Sequence, residues 1–256
     1  MATRVSFCVP QRRRSREGCR VRPHRPPDSP DLAIYSQAQR LALGELPDWD
    51  SPDIMTNWWS PWRLAQAVPV TVHNLSPTAH AVYATVHVAV SRFGIGTPRR
   101  PLGSRRVTVS AGGSVVVDFP LDQAALDGGP LIGVHVTLEH PHDRIAINNS
   151  GSQVIEGMRT SDDGRTHTLV IPVVNEASHP RTLTLEAHTQ DVEVALSPST
   201  LHLGPGEEGA VTLTTQVPDT LHAPAGGETR RHVIVVAREP EGEIVGGVTQ
   251  IVRVDD

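Results

Sequence analysis

The chain carries the same pattern twice, about 100 residues apart. Residues 68–76 read VPVTVHNLS and residues 171–178 read IPVVNEAS, each a valine-rich strand ending at an Asn. Each continues past a Pro into a second alternating run, AVYATVHVAV (81–90) and RTLTLEAHTQ (181–190). Matching turns follow in VTVSAGGSVVVDFP (107–120) and LHLGPGEEGAVTLTTQVP (201–218), then matching late strands, HVTLEHP (135–141) and VIVVAREP (233–240). The spacing holds from Asn74 to Asn175, Val109 to Leu203 and Pro141 to Pro240. An offset of that size is the length of one β-sandwich domain.

Period-two alternation over ten residues has no good helical alternative. Val68, Val70 and Val72 form one face of a strand, as do Val82, Ala84, Val86, Val88 and Val90 of the next. In the second copy, strands are expected at 168–174, 181–187, 192–196, 200–203, 209–217, 231–238 and 244–254. Seven strands at this spacing suit an immunoglobulin-like sandwich. The expected fold class is all-β, with two tandem immunoglobulin-like sandwiches over 31–155 and 167–256. Residues 156–166 are polar and Gly-containing and read as the linker. Residues 36–46 read as a short helical turn or loop.

Residues 1–30 are rich in Arg and Pro and read as a disordered arm. Eight of the 23 basic residues fall in the first 25 positions, and all 23 are Arg. The formal net charge of −5 argues against a dedicated nucleic-acid binder. Cys8 and Cys19 both sit in the arm, so neither sandwich holds an internal disulfide. Together with His24 they give three candidate metal ligands, fewer than a zinc finger needs. No apolar run is long enough to span a membrane, and no signal-peptide h-region is seen. The expected location is cytoplasmic, or outside by a non-classical route.

Three segments hold the candidate functional residues. All four Trp, Trp49, Trp58, Trp59 and Trp62, lie in PDWDSPDIMTNWWSPW, which three Pro keep from forming a long helix. They either cover an open sandwich end or form an exposed aromatic anchor patch. Arg99, Arg100, Arg105 and Arg106 lie in RFGIGTPRRPLGSRR (92–106), read as a long loop that would steer an acidic partner. His140, His142 and Asp143 fall close together in HPHD, a weak metal candidate beside the simpler reading of a hydrogen-bonded turn. Asp162 and Asp163 lack the further carboxylates of an EF-hand loop. Nucleophile elbows, HExxH and phosphate loops are absent, so no cofactor and no enzymatic activity are expected.

The stretch DSPDI (50–54) after Trp49, the strand-turn-strand VPVTVHNLSPTAHAVYATVHVAV and the closing EHPHDRIAINNSGSQV resemble CARDB-like immunoglobulin domains of bacterial secreted and surface proteins. The resemblance covers about residues 48–155 and implies adhesion or accessory binding. The second copy is similar, more loosely, to C-terminal immunoglobulin-like modules of bacterial membrane and surface proteins. The expected function is a non-catalytic interaction or structural protein that binds a protein partner. Two alternatives stand beside it. One is an accessory part of a multi-protein particle such as a phage-tail-like assembly. The other is a separately encoded carbohydrate-binding module of a hydrolase.

Overall fold

The computed structural model describes residues 28–55, 67–121, 132–160, 165–225 and 227–255. Its strands are β1 (Leu32–Ala33), β2 (Ala67–Asn74), β3 (Ala81–Arg92), β4 (Arg100–Val109), β5 (Ser114–Pro120), β6 (Ile132–Glu139) and β7 (Ser150–Thr160). They continue as β8 (Thr166–Val174), β9 (Arg181–His188), β10 (Glu193–Ser197), β11 (Thr200–Leu203), β12 (Glu208–Gln216), β13 (Glu228–Arg238) and β14 (Ile244–Asp255). The one α-helix among the described residues, the six-residue α1 (Gln37–Ala42), is capped by Ser36, whose hydroxyl accepts from the Gln39 amide. The architecture is all-β.

The strands form three sheets. Two are three-stranded, β1-β2-β5 and β10-β12-β8, and the third has eight strands in the order β11-β9-β13-β14-β7-β6-β3-β4. Every pairing in the large sheet is antiparallel except one. β7 and β14 run parallel, from Ile155 opposite Thr249 to Thr160 opposite Val254. The sheet is therefore continuous across both sequence copies.

Side chains alternate across a strand, and directly paired residues share a face. In the first copy Val86, Val88 and Val90 pair with Leu138, Val136 and Val134, all within one buried apolar cluster. Val134 in turn pairs with Gln153, whose chain neighbour Val154 points the other way and belongs to the second cluster with Val248 and Val252. The two cores consequently lie on opposite faces of the same sheet. β1-β2-β5 covers one and β10-β12-β8 covers the other.

The sequence repeat has an atomic counterpart. Asn74 and Asn175 are each 1% exposed. Asn74 donates its side-chain amide to Ala79 and Val109 carbonyls at 2.8 and 3.2 Å, and Asn175 donates to His179 and Leu203 at 2.9 and 3.0 Å. Each Asn Oδ1 accepts from the amide two residues on, Ser76 or Ala177. The matching turns hold Gly112 and Gly206 at φ 62° and 70°, the left-handed region that favours glycine.

Several expectations change. Residues 100–106 are not loop: β4 begins at Arg100, and only residues 93–99 connect it to β3. Residues 156–160 are not linker, because β14 extends β7 by parallel pairing. A bulge at Val82 and Tyr83 turns Ala81 rather than Val82 into the core, leaving Val82 exposed. Ser29 and Pro30 are packed, both buried, with the Pro30 carbonyl accepting from the Arg144 amide at 2.9 Å. The remainder of the expected arm, with Cys8, Cys19 and His24, lies outside the described residues.

Candidate partner-binding site

Among the described residues the two copies meet through three groups of contacts. The first is the β7–β14 seam. Its paired part begins only at Ile155 and Thr249, so the first residues of both strands diverge. Trp49 occupies that fork. Its carbonyl accepts from the Val154 amide on β7 at 2.9 Å, and its amide donates to Thr249 Oγ1 on β14 at 3.1 Å. The indole lies over Gly247, where an added Cβ would sit 2.5 Å from Cζ3. Trp49 is 5% exposed, so it is a wedge between strands rather than an exposed anchor. Trp58, Trp59 and Trp62 lie outside the described residues.

The second contact is the β3–β4 connection. Phe93 and Ile95 leave the first copy and enter the second core. Ile95 forms a parallel bridge with Val173 on β8, donating to the Pro172 carbonyl and accepting from the Val174 amide, both at 2.9 Å. Gly94 at φ 137° and Gly96 at φ 63° let the backbone come that close. A Cβ at Gly94 would sit 2.6 Å from the Pro172 oxygen. Arg92 pairs with Glu208 at 2.7 Å beside this clip.

The third contact is polar. Asp48 accepts from Thr249 Oγ1 at 2.6 Å and lies 2.5 Å from His232 Nδ1. Asp50 accepts from Gln153 at 3.0 Å and lies 3.7 Å from His232 Nε2. The Asp48 hydrogen bond raises the His232 pKa against the opposing effect of burial. Burial is the largest influence on both carboxyls. It raises Asp50, whereas the bonds to His232 and Thr249 leave Asp48 lowered overall. Sequence reasoning missed this group because its members lie about 184 to 201 residues apart.

Beside the fork lies a cleft of about 250 Å³ lined by Leu41 of α1, Trp49, Arg99, His135, Ser152 and Ile244, among others. Ser91 donates to the Arg92 carbonyl at 2.9 Å, so His135 Nε2 is the donor in its 3.0 Å contact with Ser91. His135 Nδ1 is then a buried acceptor with no partner among the described residues. Burial, with Arg99 adding to it, pushes His135 down to about 3, so the ring is neutral.

The four predicted arginines do not form one loop patch. Arg99 reaches the cleft, whereas Arg100, Arg105 and Arg106 lie on β4 at the margin of the large sheet. Arg100 pairs with Val90 and Arg105 with Val86, on the first-core face, because an irregularity near Leu102 preserves the side between them. Arg106 pairs with Thr85 on the opposite face. Arg105 and Arg106 are exposed.

The HPHD segment is a hydrogen-bonded turn. Asp143 accepts from the Leu32 amide and the Asn149 side chain, both at 2.7 Å, and His140 Nε2 contacts the Val82 carbonyl at 3.2 Å. Asp162 and Asp163 lie outside the described residues. Among the described residues no three His, Cys, Asp or Glu side chains are grouped to hold a metal ion. No helix among them is long and apolar enough to cross a membrane.

No protein-family model and no curated protein sequence matches the chain. Among solved structures it is similar to SSP-19, an MSP-domain-like protein of Caenorhabditis elegans, at 11% identity and TM-score 0.26, covering 36% of this chain and 88% of that one. It is similar to the Escherichia coli chaperone DraB at 12% identity and TM-score 0.26, covering 39% of this chain and 58% of that one. A Porphyromonas gingivalis protein of unknown function gives 12% identity and TM-score 0.26 over 73% of this chain and 90% of that one. Similarities at these scores carry no functional inference.

Proposed function

We propose that this chain is a non-catalytic interaction protein. In this reading two immunoglobulin-like modules, about residues 28–160 and 166–255, are held together by the seam, the Trp49 wedge and the Ile95 clip. Together they present one surface to an acidic protein partner. The supporting observation is the charge balance at β4. Arg92, Arg181, Arg231, Arg238 and Arg253 each pair with a carboxylate. Arg99, Arg105 and Arg106 have none among the described residues, so their attraction is available to an incoming partner.

Charge reversal tests the reading. Tagged wild-type protein and the double variant Arg105→Glu, Arg106→Glu are isolated from the native host, and co-purifying proteins are quantified by mass spectrometry. The expected result is an acidic protein enriched with the wild type and lost with the variant. Equal recovery by both would overturn the proposal.

A further inference from the structure

The large sheet ends in two very different edges. At one end is β11, only 4 residues long. At the other is β4, 10 residues long, which among the described residues pairs with β3 alone. An outer strand in that position presents a row of backbone N–H and C=O groups, and natural edges are commonly blunted by shortness or by charge. β11 is short. β4 is long, about 33 Å at the usual rise per residue, and its Arg105 and Arg106 have no carboxylate partner among the described residues.

Those arginines also decide what can lie beside β4. A second copy pairing edge to edge would bring one cationic strand against another, and directly opposed like charges destabilise a sheet. An acidic strand meets the opposite condition. Arg105 shares the face of Val86 and Arg106 the face of Thr85, so the two charges stand on opposite sides of the sheet at adjacent positions. Only a strand with two consecutive acidic residues places one carboxylate against each, because its own side chains alternate in the same way.

We infer that β4 is a strand-addition site that accepts an extended partner segment bearing an adjacent acidic pair, as a ninth strand of the large sheet. Backbone hydrogen bonds to β4 supply the affinity, and the two arginines select the acidic pair and set the register. The inference rests on the partner-binding reading above and specifies its geometry.

The probe is a synthetic ten-residue peptide alternating Thr and Val with a central Glu-Glu, added at millimolar concentration to the whole protein. Amide hydrogen exchange is followed residue by residue. Exchange in β4 is expected to slow by on the order of tenfold, with β11 unchanged. The same peptide with Lys-Lys at its centre, and the Glu-Glu peptide N-methylated at alternate backbone nitrogens, are expected to give no slowing. In the double variant Arg105→Glu, Arg106→Glu the preference is expected to invert, so that the Lys-Lys peptide slows β4 and the Glu-Glu peptide does not.

Unchanged β4 exchange with the Glu-Glu peptide overturns strand addition. So does equal slowing by the N-methylated peptide, which would mean that charge alone makes the contact. Slowing that grows with protein concentration in the absence of peptide would assign the edge to a second copy and also overturn it. If the peptide fails while charge reversal still releases the native partner, strand addition falls and the partner-binding reading stands. If both fail, both fall.

Discussion

Trp49 donates its backbone amide to Thr249 Oγ1 at 3.1 Å across 200 residues of sequence, while its carbonyl holds Val154 on the other side of the fork. One residue thereby closes the gap where the two parallel strands separate. The indole fits only because residue 247 has no side chain. Gly247→Ala is expected to push the ring out and destabilise the protein by about 2–4 kcal/mol. Trp49→Ala is expected to cost about 3–5 kcal/mol through the cavity it leaves. Urea unfolding monitored by circular dichroism measures both, and a loss below 1 kcal/mol, on the order of an ordinary surface change, would contradict the wedge.

Gly96 tests the clip. An added Cβ would collide with the Val174 carbonyl, and φ 63° is strained for any other residue. Gly96→Ala is expected to detach Ile95 from β8. The Pro172–Val174 stretch should then become more accessible to hydrogen exchange while β6 remains protected. Uniform loss of protection throughout the molecule would show that the clip is not a separable element.

The two buried asparagines should behave alike. Asn74→Ala leaves two carbonyls and Asn175→Ala three without their side-chain amide donor, each at a cost of about 2–4 kcal/mol. Thermal melts of the two variants should agree within about 1 kcal/mol. A large difference would mean that the equivalence of the two turns is geometric but not energetic.

The junction gives the protein an acid-leaning stability. His232 is raised by its bond to Asp48, so its contribution is complete below the ordinary His value of 6.5 and is lost as pH rises through the raised value. Burial pushes Glu156 up to about 7, so keeping it folded costs progressively more as pH climbs from 4.5 to 7. Asp50 is raised by burial and acts in the same direction. Asp48 is lowered, and its contribution is lost as pH falls from 3.8 through its folded value. His135, pushed down to about 3 by burial, opposes Glu156, because its contribution is complete above 6.5 and is lost as pH falls, so the melting temperature is expected to hold a plateau between about 4 and 6.5 and to fall toward pH 8. Glu156→Gln should stabilise the protein at pH 8 by at most about 3 kcal/mol and leave it unchanged at pH 4. A flat pH profile in the wild type would refute the assignment.

The strands of the second copy were legible almost to the residue, since Leu183 and Leu185 or Val211 and Leu213 alternate with polar neighbours and face a core. Asn74 and Asn175 stood out for the same reason, as fixed points in a repeated local pattern. Arg100, Arg105 and Arg106 were visible as a charge cluster but were misplaced in a loop. Pro101 and Gly103 look like loop residues, and only pairing with β3 makes them strand. Trp49 was conspicuous by type, yet nothing near it in sequence signals Thr249 or Gly247.

By itself the sequence determined most of the strands, the turns and the twice-repeated pattern, because side-chain alternation and left-handed glycines act over a few residues. The tertiary structure alone decided that β7 lies parallel to β14, that the two cores take opposite faces of one sheet and that Ile95 serves the neighbouring core. Those outcomes depend on which backbone edges remain unpaired after each copy has formed. Edge availability belongs to the assembled sheet, and no local stretch of side chains encodes it.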